Sequence, residues 1–377
     1  MSLARLTRLA MAGLLVAAAG AAAARAEVLI GLVEMQTGGM AISWQDQLRQ
    51  AAELAVAKLN AEGGLLGHEV RTIVGDDACD GGQAVALANK FVSEGVVFVA
   101  GHPCSDASIP ASPVYAEAGI LMISPLSTNP MLTERGLTNV FRVVGRDDAQ
   151  GIMAGNYLAD HWSERRIAVL HDGTPYVKGL AEETRKQLNA RGVAEGLYEQ
   201  VEREAVDYGD LLDRIHGAAI DVVYFPGRDP EVGLFIRQAR NRGMKFQLVT
   251  GDNNVTESFR MIAGDATEGT LLTSYPDPRE NPEAAELVAE LRARQFPPDL
   301  PPLYMYATIQ VWAQAVEKAG TFEVAAVGEV LREEDFDTVL GRIGFDDKGD
   351  VTGVDPFVWY VWKGDTSVSV DPAELAE

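Results

Sequence analysis

From position 27 onward, short runs of β-branched and other apolar residues alternate with longer segments whose apolar positions recur every three to four residues. The run 28–33 reads as a strand. Segment 43–60 carries Leu48, Ala52, Ala55 and Leu59 on one helical stripe and stops at Gly63-Gly64. Strand 70–74, helix 83–93, strand 96–100, helix 107–118 and strand 120–123 follow. The rhythm restarts after Val144-Gly145-Arg146, with helix 149–162, strand 166–170 and helix 177–190. Strands 221–225, 247–249 and 269–273 then alternate with helices 231–241 and 256–262. Such alternation is the pattern of parallel βαβ units, and it predicts two successive doubly wound α/β halves. Segments 282–294, 304–319 and 324–331 are expected as helices and 357–362 as an isolated strand. This last part is expected to cross back and complete both lobes without forming a third domain.

The first 26 residues break the pattern. Arg5 and Arg8 precede an apolar stretch of roughly 16 residues, short for a membrane span, and Ala24-Arg25-Ala26 matches a small-x-small cleavage site. They predict an export signal cleaved after Ala26. No cysteine near that point could accept a lipid. A mature chain of about 350 residues is long for one domain. The formal charge of −23 becomes −26 once Arg5, Arg8 and Arg25 leave with the signal. A surface this acidic argues against nucleic acid and against charge-driven docking on anionic lipid. The two cysteines, Cys79 and Cys104, read as one disulfide in an oxidising compartment. A free reactive thiol at Cys104 is the alternative.

In open parallel sheets, ligands bind beyond the carboxyl ends of strands, where helix N-termini present unpaired N–H groups. Ser105 and Thr128 follow two strands of the first half, and their hydroxyls suit a carboxylate; the plainer reading is a helix cap or turn residue. In the second half, Asp252 could accept from an ammonium group or serve a turn in G-D-N-N. Arg228 could clamp an anion, pair with Asp252 or point to solvent. Tyr176 and Trp44 are candidate aromatic walls, or core residues. No G-x-S-x-G, H-E-x-x-H or P-loop is present, and the five histidines lack metal-ligand spacing. Neither catalysis, nor a cofactor, nor a metal is expected.

The run D-D-A-C-D-G-G-Q-A-V-A-L-A-N-K at 76–90, then G-H-P-C-S and G-I-L-M-I-S-P-L-S-T-N-P, resembles the periplasmic leucine/isoleucine/valine-binding proteins. These are the solute receptors of branched-chain amino acid ABC importers. N-A-E-G-G-L-L-G at 60–67, H-D-x-x-x-Y at 171–176 and R-Q-A-R at 237–240 extend the resemblance. So do A-G-D-A-T-E-G at 263–269 and D-x-K-G-D at 346–350, so that it covers nearly the whole mature chain. It implies a type I periplasmic binding protein fold, two α/β lobes joined by a three-strand hinge and closing on a ligand. The lobes are expected at 27–144 plus about 275–350, and at 145–274 plus about 351–377.

The resemblance further implies that Cys79 pairs with Cys104. Ser105 and Thr128 would bind the ligand carboxylate, the Leu126 carbonyl would meet its ammonium, and Trp44 and Tyr176 would line the cleft. Asp252 stands where leucine-binding members carry glutamate, and Arg228 where they carry a cleft tyrosine. The implied role is that of a monomeric periplasmic receptor that delivers a branched-chain amino acid or related small carboxylate to an inner-membrane permease. A periplasmic ligand sensor of the same fold, or a receptor for a more polar or aromatic carboxylate, is the alternative.

Overall fold

The structure, a computed structural model, describes residues 26–37, 46–294, 299–371 and 373. Residues 1–25 of the expected export signal and Trp44 lie outside the described residues. Two large sheets, each covered by helices, carry the fold, and a small antiparallel sheet accompanies the first.

The first sheet is wholly parallel, in the order β2-β1-β3-β4-β5. Its strands are β1 (Glu27–Glu34), β2 (Glu69–Asp76), β3 (Phe98–Ala100), β4 (Leu121–Ser124) and β5 (Val140–Arg142). β3 and β4 are buried along their whole length, as apolar runs must be when helices cover both faces. The helices are α1 (Gln47–Ala61), α2 (Gly81–Glu94) and α3 (Ser105–Ala118). α3 ends on Gly119 at φ 66°, a left-handed cap that a residue with a Cβ adopts at a cost. One face of the sheet packs Ile30, Phe98, Leu121 and Phe141 beneath a later helix, with Phe98 stacked on Trp312 at 4.6 Å. The other face packs Val33, Val99 and Met122 against Phe91 and Tyr115.

The second sheet runs β15-β14-β10-β9-β8-β6-β7. β6 (Ile167–His171), β7 (Leu197–Gln200), β8 (Val222–Tyr224), β9 (Gln247–Thr250) and β10 (Leu271–Ser274) are parallel. α4 (Asp147–Trp162), α5 (Pro175–Ala190), α6 (Gly209–Gly217), α7 (Asp229–Asn241) and α8 (Glu257–Ala263) surround them. The segment expected as an isolated strand is instead β14 (Val358–Lys363), paired antiparallel to β10 on one side and to β15 (Thr366–Val370) on the other. The strand hides Trp359 and Trp362 in the second core, which a lone strand could not do.

Chain order requires three passages between the sheets, made by 143–146, 275–277 and 353–357. After the second passage, α9 (Ala285–Ala293), α10 (Leu300–Ala319) and α11 (Val324–Glu333) return to the first core, followed by β11 (Phe336–Thr338), β12 (Gly341–Phe345) and β13 (Val351–Thr352). Segment 282–294 does not form one helix; a short helical turn at Pro282–Ala284 precedes α9. Within D-x-K-G-D, Gly349 has φ 93°, and a Cβ there would lie 2.3 Å from the Val140 carbonyl oxygen. Only glycine allows this loop to lie so close to β5.

Cys79 and Cys104 are disulfide-bonded and no other cysteine exists, which removes the free thiol at Cys104. The bond ties the loop after β2 to the start of α3 across a separation of 25 positions. Replacing both cysteines with serine should lower unfolding free energy by about 3 kcal/mol, read from urea denaturation. A midpoint equal to that of the parent would refute the estimate. Beneath the disulfide, His102 is fully buried, with Nδ1 2.6 Å from Asp77 Oδ2 and Nε2 2.9 Å from Tyr115 Oη. This histidine is a satisfied core residue.

Candidate functional site

Each parallel sheet has a point where strand order reverses, and chain topology makes the loops beyond the strand ends open into a crevice there. In the first sheet that point lies by β1 and β3, and in the second by β6 and β8. The loops after β3, β4, β6, β8 and β9 therefore hold the candidates. Pro103, Cys104, Ser105 and Leu126 from the first sheet's loops face Tyr176, Arg228, Asp252 and Asn253 from the second's. Together they line a cleft between the two sets of loops.

Ser105 is the first residue of α3, so its hydroxyl sits beside the positive end of a helix of 14 residues. Its Oγ accepts from the Asn129 backbone N–H at 3.2 Å. Thr128 follows β4 and is fully buried, and its Oγ1 faces the Asp147 carboxylate without a hydrogen bond of ordinary geometry. A hydroxyl so poorly satisfied carries a cost that a bound acceptor would relieve. The Thr128 carbonyl accepts from the Asp147 N–H at 2.9 Å, so the β4 loop is tied to the start of α4.

On the opposite wall, Tyr176 occupies the first turn of α5, and its hydroxyl donates to Asp252 Oδ1 at 2.9 Å. Asp252 follows β9 and is buried. Burial raises its pKa above the ordinary carboxylate value, against the opposing hydrogen bonds from Tyr176 and Gln150. Burial likewise pushes the Tyr176 phenol up, with the charge of Asp252 adding to it. Arg228 precedes α7 and is buried at 5 % exposure, so it neither turns to solvent nor pairs with Asp252. Its Nη1 donates to Asp172 Oδ2 at 2.5 Å, and its Nη2 pairs with Asp106. Burial alone would depress the guanidinium pKa, but Asp106 and Asp172 outweigh it and hold the group charged.

The structure thus brings Ser105, Leu126, Tyr176, Arg228 and Asp252 to one cleft, with Thr128 buried in the same loop as Leu126. Three further carboxylates were not singled out by sequence reasoning. Asp106 directly follows Ser105 and also accepts from the Tyr176 backbone N–H at 3.1 Å. Asp172 holds Arg228. Asp147 opens α4 with both carboxylate oxygens buried and without a hydrogen bond of ordinary geometry. Its pKa is raised well above the usual range, first by burial and then by the charge of Asp252, with Thr128 and Arg142 opposing. H-D-x-x-x-Y contained the signal for Asp172, but Asp106 and Asp147 sit at helix starts, where a sequence offers only a capping reading. Among the described residues, no group of three or more His, Cys, Asp or Glu side chains could hold a metal ion, and no helix is long and apolar enough to cross a membrane.

A family model described as periplasmic binding protein matches residues 27–366. The Leu/Ile/Val-binding protein homolog 2 of Brucella abortus is 44% identical over 339 residues, covering 90% of this chain and 91% of that one. The leucine-, isoleucine-, valine-, threonine- and alanine-binding protein of Pseudomonas aeruginosa is 36% identical over 364 residues, covering 96% and 97%. Among solved structures, a leucine-binding protein of Thermotoga maritima superimposes with a TM-score of 0.82 at 24% identity, covering 91% of this chain and 98% of that one. An ABC transporter substrate-binding protein of Desulfitobacterium hafniense in complex with Leu gives 0.75 at 26% identity, covering 91% and 100%.

Proposed function

This chain belongs to the periplasmic binding protein family, and on that premise we propose that it is the solute receptor of an ABC importer for a small amino acid of the branched-chain class. The observation that carries the reading is the polarity of the cleft. Ser105 and the N-terminus of α3 offer donors on one wall, and the buried Asp252 offers an acceptor on the other. An anion site facing a cation site across a small cleft matches a zwitterion. The names of the relatives from Brucella and Pseudomonas support aliphatic amino acids as ligands.

In this reading the lobes comprise 27–144 with about 275–350, and 145–274 with about 351–377. Ligand contacts from both sides stabilise the closed arrangement, which an inner-membrane permease then reads. The mature receptor begins after Ala26 and works as a periplasmic monomer without catalysis. Ser105 and Thr128 donate to the carboxylate, the Leu126 carbonyl and Asp252 accept from the ammonium, and Tyr176 and Trp44 wall the side chain.

The test is calorimetric titration of the mature chain, refolded to remove carried-over ligand, with leucine, isoleucine, valine, other amino acids and small carboxylates lacking an amino group. Micromolar or tighter binding of the aliphatic trio supports the reading. Heat only from carboxylates without an amino group overturns it. Ser105→Ala and Thr128→Ala should each weaken binding by about 1–3 kcal/mol; unchanged affinity in both removes the carboxylate assignment.

The raised pKa of Asp252 also fixes the sign of the pH dependence. An ammonium needs an ionised carboxylate, so binding expels any proton Asp252 holds, and affinity falls as pH drops through the raised pKa. Titrations at about pH 8 and about pH 5 should show weaker binding at the lower pH. Heats at the lower pH should depend on buffer ionisation enthalpy. Equal affinities with buffer-independent heats would contradict this.

A further inference from the structure

Asp106 lies on α3, against the first sheet, yet both of its hydrogen-bonded partners belong to the second. Its Oδ1 accepts from the Tyr176 backbone N–H at 3.1 Å, at the start of α5, and its Oδ2 pairs with the Arg228 guanidinium. The side chains of this ion pair are only 7 % and 6 % exposed. Arg228 lines the cleft, but Asp106 and Asp172 engage its two terminal nitrogens. We propose that Asp106 and Arg228 form a latch between the lobes, which holds the cleft closed and withholds the guanidinium from the ligand, so that the site selects a side chain without a negative charge.

The argument rests on geometry and charge. A carboxylate on one lobe that grips a helix N-terminus and an arginine on the other can make both contacts only when the lobes are together. Removing Arg228 leaves two buried carboxylates without their counter-charge, and removing Asp106 leaves Arg228 paired only with Asp172 on its own side, so either change favours opening. Ionised Asp106, Asp172 and Arg228 sum to one negative charge beside the acidic Asp252, a field that repels an anionic side chain. Without the Asp106 carboxylate, one terminal nitrogen of Arg228 gains a free donor at the cleft wall. The selection half of the proposal rests on the amino-acid reading above; the closure half does not.

Small-angle scattering of the ligand-free mature chain and calorimetry with leucine and glutamate test both halves. The series is the parent, Asp106→Asn, Arg228→Gln and the double variant, with circular dichroism as the folding control. Asp106→Ser stands in if the asparagine variant does not fold. Each single variant should show a larger radius of gyration and bind leucine about tenfold more weakly. The double variant should lose less than the product of the single losses, and Asp106→Asn should gain heat with glutamate. A compact Asp106→Asn with parental leucine affinity, or strictly additive losses, overturns the latch; absence of any glutamate heat in Asp106→Asn overturns the selection half. If the parent binds no amino acid, the proposed function fails, and the scattering comparison still decides the latch.

Discussion

Asp252→Asn is expected to weaken amino-acid binding by about 3 kcal/mol or more, a factor of about a hundred or greater. The size follows from the surroundings. Asp252 is 4 % exposed, held by the Tyr176 hydroxyl, and stands on the cleft wall opposite Ser105. An ammonium desolvated in that cleft would lose its counter-charge and meet an amide that pairs with it far less well. The same substitution should raise the melting temperature of the empty protein at neutral pH. The folded-state pKa of Asp252 lies above its unfolded value, so its ionisation opposes folding above the unfolded value. Asparagine removes that opposition while keeping the shape. Lower affinity with higher thermal stability is a combination that misfolding cannot produce. Unchanged affinity would mean that the ligand carries no ammonium there.

Arg142→Ala is expected to lower unfolding free energy by about 3–5 kcal/mol. Arg142 is fully buried on β5, with Nε 2.7 Å from Asp350 Oδ1. Its other nitrogens donate to the Ser127 carbonyl at 2.8 Å, the Asn129 carbonyl at 3.0 Å and Thr133 Oγ1 at 2.7 Å. Truncation strands two carbonyls and half of a carboxylate's pairing at once, in a space no water-exposed side chain can refill. Those carbonyls flank Thr128, so the variant should also loosen the loop carrying the proposed carboxylate donors, and ligand affinity should fall with stability. An exposed pair gives the contrast: Lys318→Ala breaks a contact to Glu334 at the surface and should cost less than about 1 kcal/mol. Urea denaturation of both variants decides the matter. Equal midpoints would show that the buried cluster contributes no more than a surface pair.

Arg142 also illustrates what a linear reading misses. β5 is three residues long and ends on an arginine, so it shows neither an apolar run nor alternation of useful length. β7 and β15 escape for a related reason. Both lie at the edges of the second sheet, carry polar residues and are only partly buried. The central strands were legible because helices cover both faces, so burial imposes an unbroken apolar run on the chain itself. The helices between them announce their inward face by periodicity and their ends by glycine, as at Gly119.

For the site, the positions directly after strands were readable, since the loop beyond each parallel strand opens at the same edge of the sheet. Ser105, Leu126, Thr128, Tyr176, Arg228 and Asp252 all follow from that rule and the family resemblance. Charge pairing was not readable. Arg228 and Asp106 are 122 positions apart, and Arg142 and Asp350 are 208 apart. Local periodicity carries no information about contacts over such separations.

The sequence by itself determined the alternation of elements, the doubly wound halves, the disulfide partners and the edge of each sheet where a ligand could lie. Each of these follows from local patterning or from the scarcity of a residue type. Only the tertiary structure decided which carboxylates hold Arg228, that Thr128 and Asp147 are buried without ordinary hydrogen-bond partners, and that the last strands extend the second sheet. Those are outcomes of burial and of long-range packing, which set the partners of a charge only once the two sheets and their loops have come together.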